Sequence, residues 1–100
     1  MEVDWSVLMA LAPDDPRYGR MLRGVVMRVL ELARDEGYVS PKMAHRRLGF
    51  WKQWWGGFLA GLCSAGLLKL SPFARRSRIY VLTDKGREKL RELEEETDEY

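Results

Sequence analysis

The chain of 100 residues contains no asparagine, one glutamine (Gln53), one histidine (His45) and one cysteine (Cys63). Each scarcity removes a class of chemistry. A lone cysteine forms no intramolecular disulfide and no cysteine-cluster zinc site. With a single histidine beside it, a closed metal site within one chain is out of reach. Catalysis needs paired general acids and bases, a nucleophile beside a base, or a metal cluster. The carboxylates here crowd toward the C-terminus instead, so neither an enzyme activity nor a cofactor is expected. A glycine-rich phosphate loop is missing too, because Gly56-Gly57 reads as helix interior rather than a strand-to-helix turn. Long hydrophobic runs are also absent: VLMALA and FLAGLCSAGLL fall well short of the roughly 20 residues of a membrane span, and no membrane partner is expected. The opening MEVDWSVLMALAP is acidic where a secretory signal is basic, which makes the cytoplasm the expected location. The depletion of amides resembles hyperthermophile usage.

Acid is missing locally as well. Positions 37–83 contain no Asp or Glu but carry Lys42, Arg46, Arg47, Lys52, Lys69, Arg75, Arg76 and Arg78. Residues 1–82 hold 13 Lys/Arg against 7 Asp/Glu, and residues 83–100 hold 4 against 8. The net charge of +2 therefore hides a basic body and an acidic end. A long acid-free basic stretch inside a folded region points to a polyanion partner, against the plainer reading of solubilising surface charge.

Apolar residues at 46% and charged residues at 32% suit one folded domain of this length rather than a disordered chain. Trp5, Leu8, Met9 and Ala12 recur at helical spacing and stop at Pro13. Asp14 or Asp15 caps a second helix with Pro16 first, a core stripe through Met21 or Leu22, Val25 or Val26, Val29, Leu30 and Ala33, and Gly37 at its end. Tyr38 and Val39 read as extended; Ser40-Pro41 opens a third helix that ends at Gly49. A fourth helix spans about 52–65. LLKLS and RIYVLT are short strands joined by the turn-rich SPFARRS, and Thr83 caps a last helix. The expected fold class is mainly α with a small β-hairpin, α+β.

LGFWKQWWGGFLAGLCSAGLLKL followed by RIYVLTDKGREKL resembles the winged helix-turn-helix regulators of the MarR and PadR type. The likeness covers about residues 16–95. It rests on LG before the turn, Leu59 and Leu62 in the reading helix, AGLL entering the hairpin and YVLTDKG leaving it. The resemblance implies a homodimer that binds duplex DNA, with the fourth helix in the major groove and the hairpin as a wing on the backbone or minor groove. No effector ligand follows from it. Residues 1–15 then form a spare N-terminal segment for dimerisation, because Val3, Trp5, Val7, Leu8, Met9 and Leu11 exceed what one short helix hides, and 96–100 an acidic tail.

Placed at 100° intervals, Trp51, Trp54, Trp55, Phe58, Leu59, Leu62 and Cys63 share one side of the fourth helix. Gln53, Gly56, Gly57, Ala60, Gly61 and Ser64 share the other. The apolar side reads as core, with Cys63 a small hydrophobe rather than a redox switch. Trp51 and Trp54 lie at its margin, where core packing competes with an exposed patch that stacks on a partner or wedges into a DNA groove. Three explanations compete for the bare side. It allows close approach to DNA with little base reading, it seats another helix on Gly57 and Gly61, or its glycines relieve crowding beside the tryptophans.

The expected DNA contacts are Lys42, Arg46 and Arg47 on phosphate, and Lys52 and Gln53 at base edges. Trp54, Gly56 and Gly57 lie at the helix surface, and Arg75, Arg76 and Arg78 on the wing. His45 is read as an ordinary surface side chain. The expected role is a small transcriptional regulator of low to moderate sequence specificity. The rival is a protein-interaction module of a transcription or replication assembly, docking through the bare helix.

Overall fold

A computed structural model of the chain describes residues 4–72 and 78–98. The order is α1 (Trp5–Ala10), α2 (Pro16–Glu36), α3 (Pro41–Leu48), α4 (Lys52–Ser64), β1 (Leu68–Leu70), β2 (Tyr80–Leu82) and α5 (Asp84–Asp98). The described chain is mainly helical, with one antiparallel pair of strands.

Local chemistry explains most boundaries. Asp15 caps α2 by accepting the Arg17 N–H at 2.9 Å, and Pro16 occupies the first turn, where an amide hydrogen has no helical partner. Hydrogen bonds from Arg17 hold the Asp15 carboxyl below its usual range. Gly37 ends α2 in the left-handed conformation at φ 87°, which costs glycine nothing. Ser40 accepts the Met43 N–H at 3.1 Å and starts α3.

The core gathers around α2, whose Val25, Val29, Leu30 and Ala33 are buried, a spacing of four, one and three that marks one helix face. Opposite them lie Trp55 and Leu59 of α4, Tyr80 of β2, and Leu90 and Leu93 of α5. The strand register is Leu68↔Leu82, Lys69↔Val81 and Leu70↔Tyr80, a shorter pairing than the expected LLKLS and RIYVLT spans. Val39 adds a bridge on the far side of Tyr80, with both backbone hydrogen bonds at 2.8 Å, so the extended Tyr38-Val39 segment closes the sheet edge.

Helix α5 is fixed at its start. Thr83 Oγ1 accepts the Gly86 N–H at 2.9 Å and donates to the Gly66 carbonyl at 2.6 Å, joining the helix to the turn before β1. Gly86 then passes so close to that turn that a Cβ on it would stand 2.1 Å from the Leu67 carbonyl oxygen.

The N-terminal segment is not spare. Leu8 is fully buried and Trp5 half-buried against residues of the same chain, which corrects the reasoning that this segment lies outside the domain's own core. Val7 and Met9 remain exposed. Among the described residues no helix is long and apolar enough to cross a membrane.

Candidate functional site

The site is built on the turn between α3 and α4. Two residues there have positive φ: Gly49 at 88° and Phe50 at 67°. Phenylalanine in that region is strained by about 1–3 kcal/mol, so surrounding contacts must hold it. They are visible. Three successive carbonyls, of Leu48, Gly49 and Phe50, are each met by a ring nitrogen. Trp5 Nε1 donates to Leu48 at 3.2 Å, and Trp55 Nε1 donates to Gly49 at 2.6 Å. His45 Nδ1 sits against the Phe50 oxygen.

The same turn carries six aromatic rings in mutual contact. Trp5 stacks on Phe50 with centroids 4.6 Å apart, and Phe50 stacks on Trp51 at 5.4 Å. Trp54 meets Trp5, Phe50 and Trp55 edge-on and stacks on Phe58 at 4.8 Å. Trp55 lies at the centre with no exposed surface. Trp51 differs from the others. It is 73% exposed, which overturns core packing as its role. The physical reason is its position: Trp51 is the N-cap of α4 with extended backbone (φ −77°, ψ 134°), so the helical wheel does not reach it. An indole has no oxygen to cap with, and no side chain caps this helix start.

The outward face of α4 is bare as expected. Gln53, Gly57, Gly61 and Ser64 are exposed, and Gly56 and Ala60 partly so. One explanation for the glycines falls. A Cβ built on Gly56, Gly57 or Gly61 meets nothing within 4 Å, so none of them relieves crowding by the tryptophans. Glycine costs a helix about 1 kcal/mol relative to alanine, and nothing among the described residues requires that cost.

No family model, curated protein or solved structure matches this chain.

The described ion pairs lie on α2 and α5 and in the segment just before α2, except for one that joins Arg47 to Glu36 at 2.9 Å. Lys42, Arg46, Lys52, Lys69 and Arg78 are exposed and have no acidic partner among the described residues. Lys42, Arg46 and Arg47 share the wall of one shallow depression of about 280 Å³ with Glu36 and Tyr38. Arg47 is thus partly neutralised, while its two neighbours are not. Arg75 and Arg76 lie outside the described residues. Trp54 is half-buried among its ring partners. Cys63 is half-buried on the apolar side of α4.

Sequence reasoning missed Trp5, Phe50 and His45 as builders of the turn. A Trp5 bond to a residue 43 positions away leaves no local pattern. The one hint was Gly49 before a run of aromatics, the usual mark of a backbone with positive φ.

Proposed function

We propose that this protein binds duplex DNA as a winged helix-turn-helix module, with α3 across the backbone, α4 in the major groove and the β1–β2 hairpin as the wing. The observation that carries the reading is the concentration of exposed cations without an acidic partner among the described residues in the acid-free segment, where Lys42, Arg46, Lys52, Lys69 and Arg78 stand against Arg20, Lys85 and Arg87 on α2 and α5. Leaving cations unpaired while acids are plentiful elsewhere on the surface favours an external polyanion. Arg75 and Arg76 belong to the same basic segment by sequence. The bare face of α4 supports the reading in a second way, because glycines there let the helix backbone approach the groove floor. With only Gln53 and Lys52 long enough to reach base edges, recognition is dominated by phosphate, and sequence discrimination falls below the roughly 10³-fold of specific binders. A role in transcriptional regulation fits such a module.

Anisotropy with a labelled random duplex tests this. Affinity is expected to fall linearly with log salt, and Lys42→Ala with Arg46→Ala is expected to lower the slope by about 0.9 for each phosphate that is no longer neutralised. Charge removal at Lys89 and Arg91, which pair with Glu92 and Glu88 on α5, is expected to leave it unchanged. Equal effects at both places would remove the cations of α3 from the mechanism.

The exposed Val7 and Met9 favour a homodimer in which the outer face of α1 meets its mate. Val7→Glu with Met9→Glu is the right test, since deleting the segment also removes Trp5 and Leu8 from the core. Light scattering is expected to report a dimer for the native chain and a monomer for the variant; a native monomer contradicts it.

A further inference from the structure

A ring has two faces, and both faces of Phe50 are in use. Trp5 stacks on it at an interplanar angle of 14° and Trp51 at 12°, so three rings lie nearly parallel in the order Trp5, Phe50, Trp51. The inner end of this stack is tied down by the Trp5 Nε1 bond to Leu48. The outer end is Trp51, whose surface is 73% exposed. A large indole held at fixed orientation and left open to solvent costs hydrophobic free energy that burial would recover. Next to it in the chain stand Lys52, which has no acidic partner among the described residues, and Gln53; the whole surrounding segment 37–83 is free of acid.

We infer that Trp51 is a stacking platform for an unpaired nucleobase: the open face of the Trp5–Phe50–Trp51 stack takes one base of a bulged or frayed DNA strand, while Lys52 meets the adjoining phosphate. Charge decides for a nucleic acid over an apolar protein partner. A protein surface that covered Trp51 would also have to desolvate the adjoining Lys52, which has no acidic partner among the described residues, whereas a nucleotide offers a π-face and an anion together. The stacking of Trp51 on Phe50 matters too. Trp51 is oriented before binding, so little side-chain freedom is lost when a base settles on it. This inference rests on the DNA-binding reading above, and it adds a preference that reading does not require.

The test compares a fully paired duplex with the same duplex carrying one bulged adenine, and then a copy with 2-aminopurine at the bulge. The native protein is expected to bind the bulged duplex roughly 5- to 100-fold more tightly and to quench the 2-aminopurine. Trp51→Ala is expected to erase both effects while binding the paired duplex as before; Trp51→Phe keeps most of the preference. Because Trp51 is exposed, the circular dichroism and thermal unfolding of both variants should match the native chain. If the native protein binds both duplexes equally, or if Trp51→Ala retains the preference and the quenching, the platform is wrong and the duplex-binding reading survives. Binding to neither duplex at low salt overturns both.

Discussion

Gly86→Ala is expected to destabilise the fold by about 3 kcal/mol, near the upper end of what overpacking costs. The new Cβ would stand 2.1 Å from the Leu67 carbonyl oxygen and 2.8 Å from Leu82 Cδ1. The first of these is backbone, held by the Thr83 N–H at 3.2 Å, and it has no rotamer to retreat into. Relief requires α5 to lift from the turn before β1, which loosens the seat of the buried Leu90 and Leu93. For a domain of this size each kcal/mol lowers Tm by roughly 4–8 °C, so a fall of roughly 12–24 °C is expected in a thermal melt. The sign is as informative as the size. Alanine normally stabilises a helix relative to glycine, and at Gly57 or Gly61, where a Cβ meets nothing, the same substitution is expected to stabilise by about 0.5–1 kcal/mol. A loss below about 1 kcal/mol at Gly86 would mean that α5 is not seated as described.

Trp55→Ala is expected to cost about 3–5 kcal/mol, the range for deleting a buried tryptophan. The ring has no exposed surface, meets Trp5, Trp54 and Phe58 edge-on, and donates to the Gly49 carbonyl at 2.6 Å. Three effects coincide: lost apolar burial, a cavity beneath α1, and a turn carbonyl without its donor. Trp55→Phe separates them. It keeps most of the ring and removes the hydrogen bond, and is expected to cost about 1–3 kcal/mol. Urea unfolding measures both variants. If Trp55→Phe left stability unchanged, the Gly49 bond would not be supporting the turn as argued.

Much of this architecture was legible because it is local. The stripe of α2 follows a 3.6-residue period, and Asp15, Gly37, Ser40 and Thr83 mark helix ends by their own side-chain or backbone chemistry. The division of α4 into an aromatic and a bare side was legible for the same reason. Trp51 was misplaced because periodicity applies only inside a helix, and it sits one residue before α4 begins. Trp5 was assigned to a spare segment because its partners, Leu48, Phe50 and Trp54, lie more than forty positions away. The strain at Phe50 follows from those distant contacts and from no property of phenylalanine itself. The pairing of Arg47 with Glu36 was hidden for a related reason. It crosses from α3 to the end of α2, so a count of charges along the chain treats Arg47 as equal to Arg46. The requirement for glycine at position 86 is equally a tertiary fact, set by the approach of Leu67.

The central claim is that one surface, made by α3, α4 and the strands, meets DNA while α2 and α5 face away. Amide chemical shifts of the native protein, recorded as a short random duplex is added at low salt, test it most directly. The expected map centres on residues 42–47 and 52–61, Lys69 and Arg78, with residues 88–96 of α5 unmoved and the changes reversed by added salt. Shifts centred on α2 and α5, or no shifts at all, would contradict it.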